Sequence, residues 1–263
     1  MITGLLYQLP TWAICLLYIS ILFAALEFGY FVGQRLHASW KNADPTNGQI
    51  ILTSMFAVLG LMLAFTYGAS VDRFNASKNA VIMEANAMRT AFLRANLVVE
   101  PGRTELKQAL LDYARTRILK QDIHRSKEEF QEIIQKSLQV QSKLWPIIEQ
   151  IARQNSPSPF LLVAAVNQII DAHTIRLAAI KDKLPISVVI MLIFVAAASL
   201  SVAGFNGGIA GRLNRWRTMT LALVLVGVML VIHDFDHPVD GFIRVSHDSI
   251  ISVINEMEAN LAQ

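Results

Sequence analysis

Three stretches of this chain, Pro10 to Val32, Ile50 to Val71 and Leu184 to Gly208, run almost without charge, and that feature limits the fold more than any other. A helix crossing the bilayer needs about 20 mostly apolar residues, because the hydrocarbon layer is about 30 Å thick and each residue rises about 1.5 Å. All three stretches meet that length and read as transmembrane helices. The first lacks the Lys or Arg of a signal-peptide n-region, so it reads as a retained helix. A fourth apolar segment, Met219 to Ile232, is bounded by Arg217 and by His233-Asp234. It spans if its ends snorkel, for which Trp216 and Arg217 are suited; the competing reading is a re-entrant segment. Composition agrees: 54% of residues are hydrophobic and 16% charged, against about 25% charged in an ordinary globular domain.

The charges gather in the middle of the chain and at its end. The expected organisation is transmembrane helices 1 and 2 in residues 1–71, a helical extramembrane domain continuous with helix 2 in 72–183, transmembrane helices 3 and 4 in 184–233, and an acidic C-terminal tail in 234–263. No useful strand-like alternation interrupts this pattern, so the fold class is all-α, a polytopic membrane protein with four transmembrane helices.

No proline or turn cluster separates Tyr67 from Val99, which predicts one unbroken helix from Ile50 to Val99. Its emergent part carries an apolar seam at Val81, Ala85, Met88, Phe92 and Ala95, with Glu84, Asn86 and Arg89 read as lying off the stripe. Pro101-Gly102 ends it. A second helix is expected from Thr104 to Leu119, with Leu106, Leu110 and Tyr113 aligned. A third starts near Ser126, where Glu129 completes a capping box, and Pro146 predicts a kink in it. Asn155 to Pro159 form a turn cluster. A fourth helix, Phe160 to Ile180, is expected to run into the third span, with Val163, Val166, Ile170, His173 and Leu177 on one face.

With four spans, the N-terminus, the middle domain and the tail share one side of the membrane. The short loops on the other side carry Arg35, Lys41, Arg212, Arg215 and Arg217, which by the positive-inside rule places them in the cytoplasm. Arg73, Lys78, Arg176, Lys181 and Lys183 at the ends of the middle domain argue the opposite. From Ser70 to Lys183 seventeen Lys and Arg face twelve Asp and Glu, whereas Asp234 to Gln263 holds six acids and Arg244 alone among bases. Opposite charge on a shared side predicts that the tail docks on the middle domain.

Few residues suggest chemistry. Glu27 is an acid near the end of the first span, which is a functional candidate or, set beside Arg35, an interfacial residue. The run His233-Asp234-Phe235-Asp236-His237 offers oxygen and imidazole ligands, and Asp234 and Asp236 are candidates for a metal, calcium before zinc, although the rest of an EF-hand loop is missing. Gly207 to Gly211 follows an apolar helix and lacks the Gly-Lys-Ser/Thr ending of a phosphate loop. Cys15 has no partner cysteine. With no catalytic constellation, an enzyme is not expected, nor any cofactor beyond that calcium candidate, nor a nucleic-acid partner.

Leu59 to Gly68, then Asp72 to Lys78 and Glu84 to Ala87, resemble a family of bacterial membrane proteins labelled bestrophin-like, and Asp234 to Pro238 with Gly241 to Ser246 resemble its C-terminal pattern. More distantly, the second span is similar to that of bestrophin anion channels, whose second helix leaves the membrane through a glycine and an Arg-aromatic pair, here Gly68 and Arg73-Phe74. This resemblance implies a homo-oligomer, a pentamer, in the bacterial inner membrane. It also implies an anion-conducting pore lined by the second helix, with Phe56, Leu63 and Phe65 as constriction candidates. Arg73, Glu84 and Asn86 in the matching segments join Glu27 as polar functional candidates. The sparser acids after the fourth span and the less aromatic emergent helix depart from the bestrophin pattern. The alternative is a non-conducting adaptor or sensor that captures a partner helix on the Val81 to Phe92 stripe.

Overall fold

In hydrocarbon every backbone N–H and C=O must be satisfied within its own segment, so lipid-length apolar runs become helices. The computed structural model describes residues 11–40, 45–118, 127–153, 159–212, 214–238 and 241–262, and among these the regular structure is helical throughout. The helices are α1 (Thr11–Trp40), α2 (Pro45–Arg94), α3 (Gly102–Thr116), α4 (Lys127–Gln141), α5 (Leu144–Arg153), α6 (Pro159–Lys181), α7 (Ile186–Ile209), α8 (Arg215–Phe235) and α9 (Asp248–Leu261). Among the described residues, four stretches are long and apolar enough to cross a membrane: Trp12–His37, Gly48–Leu97, Phe160–Ile209, which α6 and α7 share, and Arg215–Phe235. The chain is an integral membrane protein. It divides into two compact units, Met1–Asp72 with Lys183–Asp236, and Arg73–Asp182 with His237–Gln263.

The membrane unit is held by close approach of α1 and α7. Gly29 faces the backbone of Ser201, Gly33 that of Phe205, Gly204 that of Leu26 and Gly208 that of Tyr30, each so near that a Cβ would collide with main-chain atoms. Rising residue numbers pair with rising ones, so the two helices run parallel. Both carry a Gly-x-x-x-Gly spacing, the small-residue interface that lets helices pack where lipid supplies no hydrophobic drive. At one end His37 Nδ1 meets the Ile209 carbonyl at 2.5 Å. The fourth apolar segment reaches full length because its polar flanks are helical too. The 21 residues from Arg215 to Phe235 extend about 30 Å, and Asn214 caps the start by accepting from Arg217 N.

Two expectations about helix continuity need correction. Pro146 does not kink a long helix: the helix stops at Gln141 and restarts at Leu144. That puts Pro146 in a first turn, where a missing N–H costs no hydrogen bond. Likewise α6 does not run into the third span but ends at Lys181. Pro185 is the N-cap residue of α7, and a proline disfavours helical geometry in the residue before it. The freed Leu184 N–H donates to Asp236 Oδ1 at 2.8 Å. The capping box at Ser126 and Glu129 and the turn cluster ending at Pro159 lie outside the described residues and side chains.

In the second unit the apolar seam of α2 is the core: Val81, Ala85, Met88 and Phe92 are all buried, as is Ala95 in the 3-10 turn Ala95–Leu97 that follows it. They pack with Leu106 and Leu110 of α3, Leu162 and Ile169 of α6, and Ile250, Val253 and Met257 of α9. The stripe is therefore covered by its own domain and is not a surface for a partner helix. The acidic tail does dock, through an apolar face, with ion pairs at the rim: Arg89 to Glu256 at 2.8 Å and Arg115 to Glu258 at 2.7 Å. Lys107 Nζ donates to Asn260 at 2.7 Å.

Candidate functional site: an exposed helix face and a buried ionic centre

The membrane part of α2 has two dissimilar faces. Leu59, Leu63, Thr66 and Ser70, spaced three and four residues apart, are buried, and Phe56 packs partly against the same core. Roughly opposite, Val58, Leu61 and Phe65 are exposed at 52%, 58% and 71%, with Ser54 and Asp72 exposed in the same register. A Cβ placed on Gly60 or Gly68 would meet nothing within 4 Å. At about 100° per residue, Leu63 and Phe65 cannot share a face. Of the three constriction candidates, Phe65 lies on the open face, whereas Leu63 and Phe56 turn towards the bundle.

The second feature lies in the other unit and was misread from the sequence. Glu84 does not sit off the apolar stripe; its side chain is wholly buried. Oε1 accepts from Tyr113 Oη at 2.9 Å and from Arg117 Nε at 2.7 Å, and Oε2 accepts from Arg176 Nη1 at 2.6 Å. The Arg117 fork continues to Ser137 Oγ at 3.0 Å, and Arg176 Nη2 reaches the Arg117 carbonyl at 3.4 Å. His173 Nδ1 lies 3.3 Å from Tyr113 Oη. Since the phenol gives its one proton to Glu84, that contact is a hydrogen bond only if Nδ1 carries the imidazole proton. Residues of α2, α3 and α6, with Arg117 just past the end of α3, thus meet at one carboxylate, and α4 joins them through the bond from Arg117 to Ser137.

Burial acts to raise the Glu84 pKa, but the nearby His173 and the two guanidinium charges lower it by more, so the carboxyl is held well below the usual carboxylate range. Burial and the Glu84 charge push the Tyr113 phenol up, and burial pulls Arg176 down against the attraction of Glu84. Both oxygens of Glu84 are engaged, which suits a clamp and not an acid–base catalyst. The signal was present in the sequence: Glu84 is three residues from Val81 and four from Met88, in the buried register, and Arg176 follows Ile169 by seven.

The remaining candidates do not converge. Glu27 pairs with Arg215 at 3.3 Å near the surface, and Arg73 pairs with Asp182 at 3.4 Å. Asn86 is exposed. Asp234 and Asp236 are both buried, and no group of three or more His, Cys, Asp or Glu suited to a metal occurs among the described residues.

The Bestrophin-like domain family matches residues 19–250. No curated protein matches the chain. Among solved structures, the crystal structure of a bacterial Bestrophin homolog from Klebsiella pneumoniae, phased by Zn-SAD, superposes with a TM-score of 0.66 at 12% identity, covering 93% of this chain and 98% of that one. A mutated form of the same homolog gives 0.68 at 11% identity, covering 96% and 98%. At such identities the likeness is one of fold.

Proposed function

This chain belongs to the Bestrophin-like domain family, and on that premise we propose that it assembles as a homo-oligomer into an anion channel of the bacterial inner membrane, with α2 lining the pore. Four helices packed as one bundle leave no lumen, so a conduction path needs several copies sharing one helix. The observation that supports α2 is its exposed face, where Val58, Leu61 and Phe65 stand clear of the subunit's own core. Rings of such side chains would form an apolar constriction, with glycines 60 and 68 leaving space beside it. Phe65 and Leu61 are the constriction residues of this reading, in place of Leu63 and Phe56. A pentamer is the stoichiometry expected from the family resemblance.

Protein purified as ring-shaped oligomers and reconstituted in liposomes should pass chloride. Oligomers that leave chloride flux at background would sink the reading. One observation favours a second reading, cation conduction: Asp72 is exposed in the register of Phe65, and a ring of carboxylates at a pore mouth attracts cations. The sign of the reversal potential under a salt gradient separates the two.

A further inference from the structure

A partly open cavity of about 160 Å³ lies in the membrane unit, lined by residues of α1, α2, α7 and α8. Its walls come from Ile14 to Ile21 of α1, Ile186 to Ile193 of α7, and Met229 of α8 to Asp236 at its C-cap. Each stretch covers seven residue steps, about 10 Å at 1.5 Å per residue. The lining of this slot therefore extends about that far along the helices. A cavity of about 150 Å³ takes a solute the size of benzene, so this one has room for several methylene groups of a chain.

Chemistry divides along the slot. Its sides are mostly aliphatic, with Tyr18 of α1 among them, and Thr66, His233 and Asp236 gather at one end. There α8 finishes, the Leu184 N–H meets Asp236, and Tyr67 packs edge-on against Phe235 with ring centroids 5.9 Å apart, setting Thr66 level with the end of α8. That end adjoins the last turn of an apolar span, where hydrocarbon gives way to the polar interface. Ile190 lines the slot and is itself 58% exposed, so the mouth opens onto the apolar outer surface that also carries Phe194. On a bilayer-spanning helix, that surface is covered by lipid.

We propose that this slot is a lipid site that holds a phospholipid acyl chain, with the ester region of the lipid beside Thr66, His233 and Asp236. The lining's extent along the helices, its largely apolar walls, its polar end at the membrane boundary and its mouth on a lipid-facing surface all match one chain-bearing amphiphile. The site is separate from the exposed face of α2 and independent of whether the protein conducts.

The test uses the full-length protein in vesicles of phosphatidylcholine carrying a photoactivated diazirine on its acyl chain, with labelled peptides mapped by mass spectrometry. Label should concentrate on the stretches 14–21 and 186–193, several-fold above the outward-facing Phe23 and Phe194. Val189→Phe, which narrows the slot, and Ile193→Trp, which fills it, should abolish that excess while leaving label on Phe23 and Phe194 unchanged. Should Ile193→Trp fail to fold, the milder Val189→Phe carries the comparison. Label spread evenly over all outward faces overturns the proposal. So does a slot labelled by a chainless aryl diazirine but not by the lipid, or one cross-linked to a neighbouring copy of the protein.

Discussion

Removing the Glu84 carboxylate should destabilise the protein far more than removing any surface acid. Glu84→Ala leaves the side chains of Arg117 and Arg176, 5% and 2% exposed, without a counter-charge, and Tyr113 without its acceptor. Breaking a buried pair from one side costs about 3–5 kcal/mol, whereas an exposed pair contributes up to about 1 kcal/mol. For a chain of this length, with each kcal/mol worth about 2–4 °C, the unfolding midpoint should fall by roughly 6–20 °C. Glu84→Gln, which keeps the shape and one acceptor oxygen but loses the charge, should fall between the two. Thermal unfolding of detergent-purified protein, followed by intrinsic fluorescence, measures all three. The pH dependence is a second check. Because folding lowers the Glu84 pKa below its ordinary 4.5, the carboxylate's contribution is complete above about pH 4.5 and declines as pH falls further. The gap between wild type and Glu84→Ala should therefore be constant from pH 6 to 8 and narrow in acid. A Glu84→Ala midpoint within a degree or two of wild type at pH 7 would refute the clamp.

Gly29→Ala should cost about 1–3 kcal/mol by overpacking, seen as a lower detergent-unfolding midpoint, since its Cβ would meet the Ser201 backbone. A like change at Gly60, which faces open space, should leave that midpoint near wild type. In the tail, Ile250→Ala should cost about 2–5 kcal/mol and expose residues 241–262 to protease, whereas Arg115→Ala, which removes a rim ion pair, should cost less than about 1 kcal/mol. Phe65→Ala should raise single-channel conductance in planar bilayers, while Leu63→Ala should lower stability with conductance unchanged, because only Phe65 faces away from the core.

Much of this protein could be read from local features of its sequence. Whether a segment can enter lipid depends on its own length and composition, so the three long apolar runs were plain without knowing their neighbours. The seam from Val81 to Ala95 was equally plain, because helical spacing is a local property. So was the attraction between a basic middle and an acidic tail. What the seam would face was not. Only tertiary packing showed that the domain's own helices cover it.

The pairing of distant residues was decided by the tertiary structure alone. Glu84 meets Arg117 from 33 residues away and Arg176 from 92, and nothing in a periodic pattern says which buried charge will find which partner. The same holds for Gly29 and Gly33 against Gly204 and Gly208, where each helix shows its small residues but not its mate. The open face of α2 was also undetermined, because Leu63 and Phe65 are equally apolar in a string of letters. Burial in lipid is decided one segment at a time, whereas a contact between side chains exists only once two segments share a place in space.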